Sequence, residues 1–66
     1  MYGEKIKELR EQKRISQEAM AEKLHITQSA YSKYESNQVQ ISVDMLLRVA
    51  EVLEISPMDI INNSGK

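Results

Sequence analysis

Two helical patterns meet across only three residues, His25, Ile26 and Thr27, and this junction constrains the 66-residue chain more than any other feature. Ser16 is a favourable N-cap, because its hydroxyl can accept a first-turn backbone N–H, and Glu18 puts negative charge at the positive end of the helix dipole. Ile15, just before the cap, can staple back onto the helix near Met20. The pattern predicts a helix running to Leu24, with Met20, Ala21 and Leu24 inward. Thr27 is the next N-cap and predicts a helix over 28–36 with an apolar stripe of Ala30, Tyr31 and Tyr34. Asn37 can take the left-handed conformation that ends it. Ala21 is small where the second helix must cross closely, and Ile26 is apolar at the hinge. Two helices crossing at a large angle need this arrangement.

Three further helices flank the pair. Tyr2, Ile6, Leu9 and Lys13 share one stripe of a helix over about 3–13. Pairs of Glu4 with Lys7 and Lys7 with Glu11 offset the like-charge pair Glu4–Glu8. Val39, Gln40 and Ile41 read as an extended connector. Ser42 caps a fourth helix with Asp44 in its first turn; Leu46, Ala50 and Leu53 share a face, flanked by Val43, Leu47 and Val49. Ser56 and Pro57 open a fifth helix with Asp59 in its first turn, and Ile60 and Ile61 close it. No alternating run suggests a sheet. The expectation is an all-α domain of five short helices over 3–61, with a C-terminal tail over 62–66.

Composition excludes several classes. There are no cysteines and one histidine, so disulfides and Cys/His zinc sites are excluded, and no metal or other cofactor is expected. No apolar run reaches the ~18 residues of a membrane span, and the N-terminus has no signal-peptide core. The expected location is therefore cytoplasmic. A nucleophile needs a positioned base. His25 lies in a turn with no acid beside it, so catalysis is not expected. The net charge of -1 argues against nucleic acid, whose binders carry a basic face. The distribution softens that objection. Residues 1–34 hold Lys5, Lys7, Arg10, Lys13, Arg14, Lys23 and Lys33 against five acids, and residues 35–66 hold Arg48 and Lys66 against five. The N-terminal half is the better face for phosphates.

The chain resembles the phage-repressor or Cro-type helix-turn-helix family, also called the xenobiotic-response-element type. The matching residues are Leu9-Arg10, Ile15-Ser16-Gln17-Glu18, Ala21, Leu24, Ile26-Thr27-Gln28-Ser29 and Ser32-Lys33-Tyr34-Glu35. Ser42, Leu46, Leu47, Ala50 and Leu53 match the family's fourth helix, and Pro57 with Asp59-Ile60 its fifth. The resemblance implies a five-helix lambda-repressor-like DNA-binding domain with the helix-turn-helix at helices 2 and 3. It also implies that helix 3 enters the major groove. Gln28 is then the first candidate for reading a base, since a glutamine amide can pair with N7 and N6 of adenine. Ser29, Ser32 and Lys33 share its face, and Lys33 can donate to guanine or to a phosphate. Gln17, at the start of helix 2, suits a phosphate oxygen, and Ser16, Thr27, Ser36 and Asn37 are lesser phosphate candidates. Ser16 and Thr27 are caps first. In the family, an arginine at the Arg10 position pairs with an acid at the Glu35 position and ties the recognition helix to the scaffold. Tyr31 stands where the family is usually aliphatic and buried, and Tyr34 where it is usually aromatic, so both are expected to pack rather than to stack on bases.

Two departures stand out. His25 takes a turn position that is commonly glycine, and the connector 38–41 lacks the basic residues many relatives carry, which predicts a shallow salt dependence. The expectation is a sequence-specific transcriptional regulator acting as a repressor on double-stranded DNA. One recognition helix reads few bases, so a homodimer on a two-fold symmetric operator is expected, joined through Ile55, Met58 and Ile61. No small-molecule ligand is evident. The alternative is a protein-interaction module of the same fold, such as an antitoxin or co-regulator subunit, motivated by the acidic C-terminal half.

Overall fold

Side-chain oxygens begin four of the helices in this computed structural model, which describes residues 2–64, with side chains through residue 62. Ser16 Oγ accepts Ala19 N–H at 3.0 Å, Thr27 Oγ1 accepts Ala30 N–H at 3.0 Å, and Ser42 Oγ accepts Met45 N–H at 3.1 Å. Each such cap contributes about 1 kcal/mol by satisfying a helix-end donor. Reciprocal bonds open the last helix: Ser56 Oγ accepts Met58 N–H and Asp59 Oδ2 accepts Ser56 N–H, both at 3.2 Å. Among the described residues the helices are α1 Gly3–Gln12, α2 Gln17–Leu24, α3 Gln28–Glu35, α4 Val43–Leu53 and α5 Pro57–Ser64. There is no strand among them, so the architecture is all-α, as expected. Of the tail expected over 62–66, residues 62–64 continue α5, and Gly65 and Lys66 lie outside the described residues.

The turns that end α1 to α4 share one geometry. Arg14, His25, Asn37 and Glu54 have φ of 60°, 62°, 64° and 58°. After each, the next N–H returns to the carbonyl five residues back: Ile15 to Arg10, Ile26 to Ala21, Gln38 to Lys33 and Ile55 to Ala50, at 2.9–3.2 Å. This closure satisfies carbonyls the helix leaves open. Three of the four turns are followed by an isoleucine packed partly buried on the core. The reversal therefore also aims an apolar side chain inward. His25 is left-handed, as its glycine-like position suggested; Arg14 and Glu54 gave no comparable signal.

Ile6, Met20, Ala21, Leu24, Tyr31, Leu46, Val49, Ala50, Leu53 and Ile60 form one buried cluster. Around it α1 packs on α3, α4 and α5, α2 packs on α3 and α4, and α4 packs on α5. Arg48 Nη2 on α4 donates to Leu24 O at 3.1 Å, so a cation closes the negative end of α2. Three details differ from the sequence reading. The buried side of α1 is Gly3, Ile6 and Arg10, while Tyr2 and Lys13 face solvent, because Arg10 turns inward to an acid. Along α4, Val43 is 73% and Leu47 48% exposed, since the core already takes Leu46, Val49, Ala50 and Leu53. On the outer face of α1 the ion pair is Lys5–Glu8, at 2.8 Å, rather than Glu4–Lys7.

None of the four left-handed positions is glycine. A side chain there costs about 1–2 kcal/mol, against roughly 0.5–1 kcal/mol of extra chain entropy for glycine. Arg14→Gly, His25→Gly and Glu54→Gly should therefore each stabilise the domain by up to about 1 kcal/mol, and calorimetry should show melting raised by up to roughly 4–8 °C each. An unchanged or lowered Tm in all three would contradict this account of the turns.

Candidate nucleic-acid interface

The inner edge of α3 is fixed by a buried charge cluster. Arg10 and Glu35 are only 7% and 5% exposed. Arg10 Nε donates to Glu35 Oε2 at 2.6 Å, Arg10 Nη2 donates to Glu35 Oε1 at 3.2 Å, and Arg10 Nη1 donates to Ile15 O at 2.7 Å. The planar guanidinium matches the carboxylate in two parallel bonds, which fixes direction as well as distance. Two more donors complete the acid: the Tyr31 hydroxyl on Oε2 and Gln17 Nε2 on Oε1, the latter at 3.0 Å. Among the described residues no buried side-chain nitrogen or oxygen lacks a partner. Burial alone would raise the Glu35 carboxyl, but the bonds from Arg10, Tyr31 and Gln17 outweigh it and hold the group below its ordinary 4.5. Burial, helped by the bond to Glu35, pushes the Tyr31 hydroxyl well above its ordinary 10.

The far end of α3 is held as closely. Gly3 N–H donates to Asn37 Oδ1 at 3.0 Å. A Cβ at Gly3 would lie 2.5 Å from the Tyr34 carbonyl oxygen and 2.6 Å from Asn37 Oδ1, so only glycine lets α1 approach this closely. The outer face remains open: Gln28, Ser29 and Lys33 are exposed and Ser32 is half-buried. Tyr31 is fully buried and Tyr34 half-buried, so neither ring is presented as a stacking platform.

The phosphate candidates divide by what already occupies them. Ser16 and Thr27 accept backbone N–H groups as caps, and each hydroxyl keeps its hydrogen to donate. Gln17 has given one amide hydrogen to Glu35 and keeps the other. Ser36 Oγ donates weakly to Lys33 O at 3.4 Å and accepts from Gln38 Nε2 at 2.9 Å, so the end of α3 carries a small polar chain. Asn37 uses its oxygen on α1. Of the apolar candidates near the C-terminus, Met58 and Ile61 are exposed, whereas Ile55 is half-buried against the core.

Sequence reasoning missed three of these roles. The Tyr31–Glu35 bond was legible in principle, since i and i+4 share a helix face. The Gln17–Glu35 bond and the Gly3–Asn37 contact join residues far apart in sequence and leave no local signal.

A helix-turn-helix family model matches residues 6–60, which takes in all of α2 to α4, most of α1 and the first half of α5. The chain belongs to the Cro/C1-type helix-turn-helix family. Two relatives from Bacillus subtilis are each 36% identical over 56 residues, 85% of this chain. One is the uncharacterized HTH-type transcriptional regulator YqaE, of which the match covers 48%; the other is the SPbeta prophage-derived uncharacterized HTH-type transcriptional regulator YonR, of which it covers 52%. The chain thus spans about half the length of these curated relatives. No solved structure matches it significantly. Membership places the chain among DNA-binding helix-turn-helix domains rather than enzymes. Among the described residues no helix is long and apolar enough to cross a membrane.

The cluster should govern the pH range of this helix-turn-helix domain. Glu35 stabilises the fold as an anion above pH 4.5, and that contribution fades as pH falls through its lower folded value. Tyr31 stabilises it as a neutral phenol below pH 10, and that contribution fades as pH rises. Urea unfolding should give a stability plateau between these limits, with the acid limb flattened in Glu35→Gln. Arg10→Ala strands a buried anion and should cost about 3–5 kcal/mol. A loss under 1 kcal/mol, or an acid limb unchanged in Glu35→Gln, would count against the cluster as the anchor of α3.

Proposed function

We propose that this chain is a sequence-specific regulator of transcription that inserts α3 into the major groove of duplex DNA and acts as a repressor. One observation carries the reading: α3 is anchored on its inner side by Arg10, Gln17 and Glu35, while Gln28, Ser29 and Lys33 on its outer side stay exposed. A helix held this firmly offers base-reading groups at a fixed depth and angle. Gln28, in the first turn, reads adenine in two bonds, and Lys33 reads guanine or meets a phosphate. Ser29 and Ser32 are short enough for the groove floor. Gln17, with Ser16 and Thr27 at their caps and Ser36 and Asn37 at the end of α3, meets the sugar-phosphate backbone. The names of the two Bacillus relatives agree with this reading.

One such helix reads few bases, and the low basic charge leaves phosphate attraction modest. The reading therefore includes a homodimer on a two-fold symmetric site, with half-sites about 34 Å apart. Exposed Met58 and Ile61 on α5, bordered by Ile55, supply its apolar face. Exposed Val43 and Leu47 favour a second reading, in which α4 docks a partner protein, as in an antitoxin or co-regulator subunit.

Selection from a random duplex pool tests the two together. The first reading expects an enriched palindrome. Gln28→Ala should lose about 1–3 kcal/mol of discrimination at one base pair while circular dichroism stays unchanged. Lys33→Ala should relax one further position if it reads guanine, or weaken all sites alike if it meets phosphate. No enriched sequence at low or moderate salt would favour the interaction module. A monomer in sedimentation at high micromolar concentration, with and without DNA, would sink the dimer.

A further inference from the structure

Glu35 carries a third donor side chain besides Arg10 and Gln17. The fully buried phenol of Tyr31 donates to Glu35 Oε2. Oε2 also takes Arg10 Nε at 2.6 Å, and Oε1 takes Arg10 Nη2 at 3.2 Å and Gln17 Nε2 at 3.0 Å. A carboxylate offers about four lone-pair sites. With two donors on each oxygen it has one orientation left, and Oε1 is held where the Gln17 amide meets it. Gln17 is the first residue of α2, half-buried, with one amide hydrogen on Glu35 and one unassigned.

We infer that Tyr31 is a positioning residue for the DNA backbone: through Glu35, its hydroxyl holds the Gln17 amide so that the second N–H meets a phosphate oxygen. The inference rests on the DNA-binding reading above. Phenylalanine at this position leaves Oε2 with Arg10 as its one donor and a void where the phenol oxygen lay. The terminal torsion of a glutamate is soft, so the carboxylate turns toward the void and its grip on Gln17 loosens. Tyr31 thereby affects affinity without touching nucleic acid, from the buried side of α3.

The test compares the parent chain with Tyr31→Phe, Gln17→Ala and the double variant. In the free proteins, nitrogen–proton spectra should show the parent's Gln17 side-chain amide shifted from free-glutamine values and rigid, and in Tyr31→Phe mobile with free values. On a selected duplex, Tyr31→Phe should bind about five-fold more weakly, the size of one ordinary net hydrogen bond. Gln17→Ala should lose at least as much, and the double variant should lose no more than Gln17→Ala alone. Additive losses, or a Gln17 amide indifferent to Tyr31→Phe, would overturn the inference. Should Tyr31→Phe fail to fold, a parent Gln17 amide with free-glutamine shifts and mobility overturns it without any variant, and a shifted, rigid one supports it. If no duplex is bound by the parent, the DNA reading falls and the phosphate role with it. The amide spectra then still decide whether Tyr31 positions Gln17.

Discussion

The carboxylate of Glu35 lies almost out of water and takes four bonds from three side chains, which tie α1, α2 and α3 together. A buried ion pair of this kind adds little net stability over a well-packed apolar substitute, because two charges must first leave water. Its strength lies in what it forbids. Sliding or rotating α3 by even one residue would strand a buried anion, a buried cation or a phenol, each far more costly than a shifted methyl group. Apolar packing alone tolerates such small slips; this cluster does not. The exposed face of α3 thus inherits its position from a buried group on the same helix.

The turns complete that constraint. A bundle of short helices has little area at any one contact, so the angles between helices must be set where the chain reverses. The same left-handed closure at Arg14, His25 and Glu54 sets each angle locally, and the isoleucine that follows each one locks the corner onto the core. The fourth corner, at Asn37, is different. A glutamine follows it, and the asparagine side chain is bonded to Gly3, so this corner is pinned by α1 rather than by apolar burial. The difference falls at the end of α3, next to the face the proposed function uses, where an inward isoleucine is replaced by polar groups.

Much of this was legible in the residues. The caps Ser16, Thr27 and Ser42 announce the helix starts because a short oxygen-bearing side chain has few better uses there, and Met20, Ala21 and Leu24 follow from helical spacing alone. The buried side of α1 was misread at its ends, since nothing in the pattern of Tyr2 and Lys13 reveals that Arg10 and Gly3 turn inward instead. Charge burial is decided by a partner 25 residues away, and close approach by a carbonyl on another helix, so neither has a local signature. Tyr31 shows the same limit: its spacing from Glu35 was visible, but whether a phenol seeks an acid or only fills volume depends on what surrounds both.

The charge distribution bears on how such a domain would divide its labour. Base reading on the proposed surface rests on neutral amides and hydroxyls plus Lys33, and the neutral connector adds no lysine near the backbone. Counterion release, which normally dominates affinity for DNA, is then small, and so is non-specific binding. A protein of this design wastes little of its population on random sequence, but it binds its own site weakly unless another source of free energy joins in. Pairing two copies is the direct source, since the second helix then engages at the high effective concentration set by the first. On the proposed reading, weak phosphate attraction and the exposed apolar edge on α5 are two sides of one arrangement: what the surface charge does not supply, self-association on a two-fold site would.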